Sequence, residues 1–450
     1  MRKYVYFIGI GGIGMSAIAR YYNHAGYIVS GYDKTPSPLT EELQKEGIEI
    51  HFSPDTEAIP QDKENTLVIY TPAIPADMEE LVYVMENGYR LVKRSKALGE
   101  IASDKKCLAV AGTHGKTTTS TMLAHIIQNS GEGATSFLGG ISKNYGTNLL
   151  LSSSDVLVAE ADEFDRSFLQ LKPEIAVITS MDADHLDIYN DEQTLIEAFK
   201  EFAGGVKASV IVKKGLEHNL EGIAAKCYTY SYDNGGDFFP FDIKLNENSR
   251  LTFSMNLCGE IVEGCTVGVP GKVNVENAVA AAAVAYLHGT PTDKIREALK
   301  SFSGVKRRFD IRFENKDILY IDDYAHHPRE LSASISSIKE IFPGRKLCAV
   351  FQPHLFSRTK DFYKEFAQSL SLADSVILLP IYPAREEPLP GITSEIILQR
   401  ITRENTKLVP KSELINEITG RELDILVTFG AGDIDRLVEP IENYLKEHYA

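Results

Sequence analysis

No apolar run in the 450-residue sequence approaches the ~20 residues of a membrane-crossing helix, so no transmembrane span is expected. Cysteine is sparse. The five present, Cys107, Cys227, Cys258, Cys265 and Cys348, form no Cys-x-x-Cys pair, which argues against a disulfide framework or a zinc site and predicts reduced, mostly packed thiols. Positive charge is short too: 47 Lys and Arg against 63 Asp and Glu leave a formal net charge of −16. That balance argues against non-specific nucleic-acid binding, and any anionic ligand must be gripped by local devices such as helix N-termini, single Lys or Arg side chains and Mg²⁺. The chain enters a strand directly, without a signal-peptide pattern, so a cytoplasmic location is expected. There is no internal repeat and no low-complexity tract long enough to suggest disorder.

What is present is ordinary globular composition, 43% hydrophobic and 24% charged, in a chain too long for one core. Strand-like runs near Tyr4, Ile28, Leu67 and Arg90 alternate with helical patterns up to the polar segment Ser103 to Lys106. A second α/β block starts at Cys107, with strands at 156–161, 175–180 and 209–212. It changes to hairpin-like alternation between Phe241 and Val269 and closes on an Ala-rich helix, 275–287. Beyond Ser303-Gly304-Val305 the alternation resumes, with strands at 318–322, 347–351, 376–379 and 425–429 and a last helix over 434–446. The expected domains are therefore 1–104, 105–304 and 305–450.

Two glycine loops stand out. Gly112-Thr113-His114-Gly115-Lys116-Thr117-Thr118 joins an apolar strand to a helix, the setting of a phosphate-binding loop. Lys116 is then placed for β/γ-phosphates and the Thr117 hydroxyl for Mg²⁺. Val110 stands where the standard pattern has its outer glycine. The second loop, Gly9-Ile10-Gly11-Gly12-Ile13-Gly14, follows the first strand, and Asp33 follows the second strand at a position suited to a ribose hydroxyl. By itself this loop fits NAD or the diphosphate of a nucleotide sugar equally well. Two acidic clusters, 160–165 and 182–187, each follow an apolar strand, where α/β sheets place ligands. Glu160 with Thr117 suffices for one Mg²⁺. His185 is either a second ligand or a hydrogen-bonded structural histidine.

These motifs, together with Asn274 to Asn277, Arg307-Arg308-Phe309-Asp310 and Asp322 to Pro328, occur in an order that resembles the Mur ligases of peptidoglycan synthesis, and among them the alanine-adding branch. The resemblance spans Gly9 to Asp433. It implies three α/β domains: an N-terminal Rossmann-like domain, a central P-loop ATPase-type mixed sheet and a C-terminal Rossmann-like domain. It also implies an enzyme using ATP and Mg²⁺, with UDP-N-acetylmuramate at Gly11, Gly12, Ile13, Gly14 and Asp33. Lys116 meets the ATP phosphates, Thr117 and Glu160 serve one Mg²⁺ and His185 a second. Asn274 and Asn277 touch nucleotide, Arg308 and Asp323 are ATP-side and interdomain residues, and Tyr324, His326, His354 and Arg358 line the L-alanine and reaction centre. His326 or His354 is the candidate to orient or deprotonate the amine, Arg358 to stabilise the intermediate, and His327 reads as a turn cap. Val273, Ser180, Asp182 and Leu355 depart from the usual family residues. A sister ligase that attaches a recycled tripeptide or another amino acid is the alternative. No membrane insertion is expected, and a monomer or weak homodimer is.

Overall fold

The computed structural model describes residues 3–182, 189, 191–233, 235–246, 250–384 and 386–449. It is a three-domain α/β protein built on three sheets. The first has the order β3-β2-β1-β4-β5 and consists of β1 (Tyr4–Ile8), β2 (Ile28–Tyr32), β3 (Glu49–His51), β4 (Thr66–Tyr70) and β5 (Arg90–Lys93), all parallel. Strand order reverses between β1 and β4, and in such sheets the crevice at that point is the ligand site. The glycine loop after β1 opens there.

The second sheet has ten strands in the order β15-β14-β13-β12-β11-β10-β6-β9-β7-β8. Its central strands are β6 (Lys106–Ala111), β9 (Val156–Glu160), β10 (Ile175–Ile178) and β11 (Ser209–Lys213). They are mutually parallel and buried on both faces, which explains their unbroken apolar sequences. On one side lie β7 (Thr135–Phe137) and β8 (Leu149–Leu150). On the other lie β12 (Lys226–Tyr230), β13 (Phe238–Leu245), β14 (Leu251–Leu257) and β15 (Glu260–Thr266), the last three antiparallel. Cys258 and Gly259, with φ of 52° and 97°, turn β14 back into β15. The third sheet, ordered β16-β17-β21-β18-β19-β20, comprises β16 (Asp310–Glu314), β17 (Leu319–Asp323), β18 (Leu347–Phe351), β19 (Ser375–Leu378), β20 (Thr406–Leu408) and β21 (Ile425–Phe429). Only β16 runs antiparallel, so this sheet is mixed.

The chain forms two compact units. One is Met1–Leu245 with Leu251–Val269 and Asn274–Ser303; the other is Asn246–Arg250 with Pro270–Val273 and Gly304–Ala450. The first two sheets thus share one unit. A polar hub binds them: Arg20 Nη1 donates to Asn148 Oδ1 at 2.5 Å, and Asn148 Nδ2 donates to the Ile13 carbonyl at 2.6 Å and to Ser16 Oγ at 3.0 Å. Asn148 precedes β8 and is fully buried, so its amide fixes the helix of the first glycine loop, Ile13–His24, to the edge of the second sheet. Nearby, Gly99 packs so closely on the Gln170 carbonyl that a Cβ would lie 2.6 Å from it. All five cysteines are free thiols, three of them buried.

Candidate active site

Strand β6 ends at Ala111, and Gly112 (φ 126°) and Gly115 (φ 80°) turn the chain into the helix Lys116–Ser130. Both turns need glycine for a second reason. A Cβ on Gly112 would lie 2.2 Å from Thr179 Oγ1, and one on Gly115 2.8 Å from Asn277 Oδ1. The loop is bolted to the end of β10: Thr113 and His114 donate their amides to the Ser180 carbonyl and Ser180 Oγ, at 3.3 and 2.8 Å, and Asp182 donates its amide to Thr113 Oγ1. Two loop amides are therefore committed to the protein, and a polyphosphate is left to the helix N-terminus itself, where Lys116, Thr117 and Thr118 begin the first turn. Ser180 thus anchors the loop through both its carbonyl and its hydroxyl.

Lys116 Nζ donates to the Gly112 carbonyl at 2.6 Å and lies 2.7 Å from Glu163 Oε2. Burial works against the ammonium, but Glu163, Asp162 and Glu160 together outweigh it and raise its pKa, so it stays charged. Glu163, fully buried, is a site residue that the sequence placed only within an acidic cluster; Tyr189, whose hydroxyl donates to the Glu163 carbonyl at 2.5 Å, was missed. Thr117 Oγ1 donates to Glu160 Oε1 at 3.1 Å. A hydroxyl and a carboxylate this close form a hard oxygen donor pair, which fits Mg²⁺. Among the described residues no three His, Cys, Asp or Glu side chains cluster as a metal site; His185 lies outside the described residues. Asn274 and Asn277 are both buried in the helix Lys272–His288, and Thr119 Oγ1 donates to Asn277 Oδ1 at 3.3 Å, which ties that helix to the loop.

At the first glycine loop, the Gly11 amide donates to Asp33 Oδ2 at 2.7 Å, and the Thr35 amide donates to Asp33 Oδ1. Gly12 caps the helix that begins at Ile13. Gly14 lies against Arg94, whose Nη1 would be 2.5 Å from a Cβ there; Arg94 in turn pairs with Asp162 at 3.0 Å. Sequence reading missed Arg94, since its contacts are remote in the chain.

In the second unit, Asp323 ends β17, and Tyr324, His326, His354 and Arg358 gather beside it. The His326 ring is 5.2 Å from Tyr324 and 6.1 Å from His354, and Arg358 Nη1 is 3.5 Å from His354 Nδ1. The Arg308 guanidinium lies 4.6 Å from the Tyr324 ring centre. His326 Nδ1 faces two acceptors, the Tyr324 carbonyl at 3.1 Å and Glu330 Oε2 at 3.4 Å, so Nδ1 carries the proton and Nε2 the lone pair. Burial, with Arg358 acting in the same direction and Glu330 against it, pushes its pKa down to about 4. So weak a base orients an amine better than it deprotonates one. His327 caps the helix Pro328–Ile341 through a capping box with Glu330, as read from the sequence. Asp433 accepts from Gln352 Nε2 and pairs with Lys411.

Asp323 has its pKa raised from 3.8 to about 6, chiefly by burial, against donation from Ser334 Oγ at 2.6 Å and the charge of Arg308. The folded chain therefore holds this proton more tightly than the unfolded one. Stability is lost as pH rises from about 4 to about 6, and the full penalty remains above that. Asp323→Asn is expected to raise the thermal midpoint more near pH 8 than near pH 5. Melting curves at the two values check this, and an equal shift at both contradicts it.

Compared with known proteins, residues 4–106 match the Mur ligase family catalytic domain, residues 110–285 the Mur ligase middle domain and residues 307–432 the Mur ligase glutamate ligase domain. The chain is 51% identical to the UDP-N-acetylmuramate–L-alanine ligase of Porphyromonas gingivalis, over 99% of each. It is 49% identical to the enzyme of the same name from Flavobacterium johnsoniae, over 99% of this chain and 98% of that one. The crystal structure of a UDP-N-acetylmuramate-alanine ligase from Thermotoga maritima superposes with a TM-score of 0.85 over the full length of both, at 29% identity.

Proposed function

The chain belongs to the Mur ligase family, and from that premise we propose that it joins L-alanine to the lactyl carboxylate of UDP-N-acetylmuramate at the expense of ATP. Likeness along the whole length to alanine-adding ligases is the observation that carries this reading. The site geometry supports the following roles.

The lactyl carboxylate attacks the γ-phosphorus of ATP, giving an acyl phosphate and ADP. The alanine amine then attacks the acyl carbon, and the tetrahedral intermediate expels phosphate. Lys116 holds and neutralises the phosphates, and the helix N-terminus beginning at Lys116 adds its amides and dipole. Thr117 and Glu160 would hold Mg²⁺, which when bound spreads the charge of the transferring phosphoryl group. The loop at Gly11 to Gly14, with Asp33, takes the UDP moiety. His326 orients the amine through Nε2, and Arg358 meets negative charge on the intermediate. The reaction belongs to peptidoglycan precursor synthesis, and its nucleotide substrates favour a cytoplasmic location. Among the described residues no helix is long and apolar enough to cross a membrane.

Phosphate release from ATP, with each amino acid supplied singly and the product weighed, tests this. Release that requires both the UDP-sugar and L-alanine, with a product heavier by one alanyl residue, is expected. Release only with a tripeptide would transfer the protein to the recycling branch.

A further inference from the structure

The Glu160 carboxylate is held at both oxygens. Thr117 Oγ1 donates to Oε1, while Oε2 accepts from the Gly139 amide at 3.1 Å and from Ser120 Oγ at 3.4 Å. Gly139 lies two residues beyond β7, the strand that runs parallel beside β9 and so brings it to the end where Glu160 emerges. No side chain fits there: a Cβ on Gly139 would lie 2.2 Å from Glu160 Oε2 and 2.5 Å from both Cδ and Oε1. Gly139 is not in the left-handed region, so the backbone itself accepts other residues. What glycine provides here is room for a carboxylate and an unobstructed N–H aimed at it.

We propose that Gly139 is a positioning residue for the metal-side carboxylate, fixing the rotamer in which Glu160 and Thr117 present their oxygens together. This rests on the reading that Glu160 and Thr117 hold the divalent cation. The atoms a methyl group would displace are the far end of a flexible side chain, not backbone, so an alanine moves the carboxylate and leaves the fold in place. The amide would still be present, but Glu160 could no longer reach it and Thr117 at once. Partners of this kind around a metal site are worth about 10- to 100-fold in metal affinity.

The test is Gly139→Ala in the full chain, with Mn²⁺ binding in the presence of ADP followed by the electron paramagnetic resonance of free Mn²⁺. Mn²⁺ affinity is expected to fall at least about tenfold, with the thermal midpoint and UDP-N-acetylmuramate affinity near wild type. The double variant Gly139→Ala/Glu160→Asp shortens the carboxylate by one methylene and is expected to recover part of the loss. Wild-type Mn²⁺ affinity in Gly139→Ala would overturn the proposal, as would a loss matched by equal losses of stability and UDP-sugar binding. A wild type that binds Mn²⁺ with ADP yet forms no alanyl product would overturn the reaction assigned above and leave the role of Gly139 standing.

Discussion

Lys116→Ala is expected to reduce ligation on the order of a thousandfold or more, because the charge that meets the phosphoryl group in transfer is removed. UDP-N-acetylmuramate binding, which we assign to the loop after β1, should stay near wild type by calorimetry. The same substitution should also weaken the fold. Glu163 is fully buried, and its partner side chain is only 13% exposed, so removing the cation leaves a carboxylate with its principal charge partner gone. Breaking a buried pair in this way costs about 3–5 kcal/mol. Lys116→Ala/Glu163→Gln separates the two effects, since the neutral amide should recover most of the stability and none of the activity. Recovery of activity in the double variant would show that Lys116 serves the fold and not the phosphates.

Phe168→Ala should cost about 3–5 kcal/mol in urea unfolding, the range for truncating a fully packed aromatic ring. Phe168 is 1% exposed, stacked 4.9 Å from Phe202 at an interplanar angle of 6° and edge-on to Phe199 at 5.3 Å. It anchors the 3₁₀ segment Phe164–Gln170, whose Asp165 and Arg166 both adopt φ of 53°, just after Glu163. Loosening that anchor should therefore weaken ATP binding too, through the Glu163–Lys116 pair. Unchanged ATP affinity in a destabilised but folded variant would show that the acidic segment is held elsewhere.

The legible parts of the molecule were those written in local chemistry. Gly9, Gly112 and Gly115 announced their turns because their positive φ values are ones other residues seldom adopt. The apolar runs of β1, β6, β18 and β21 announced strands buried on both faces. Short pieces that depend on partners were not legible: β7 and β8 have three and two residues, β12 is half-exposed, and β16 is defined by its pairing with β17. The same limit applies to the site. Arg94 meets Asp162 and Gly139 meets Glu160 across long stretches of chain, and no periodicity encodes such meetings. The arginine-rich turn was legible as a motif, but the left-handed Arg307 and Phe309, at φ of 64° and 48°, were not. Tyr324, His326, His354 and Arg358 were assembled through family resemblance alone, since their spacing names no chemistry by itself.

The Asn148 hub gives the two glycine loops a common frame. With the first helix of one sheet pinned through Ile13 and Ser16 to the edge of the next, the loop after β1 and the loop after β6 lie in one compact body. For an inhibitor, this turns affinity into a question of length. With a diphosphate assigned to the first loop and a polyphosphate to the second, as proposed above, a molecule carrying an anion at each end is expected to meet two sockets at a set spacing, its avidity governed by whether the linker matches that span and falling away on either side of the match.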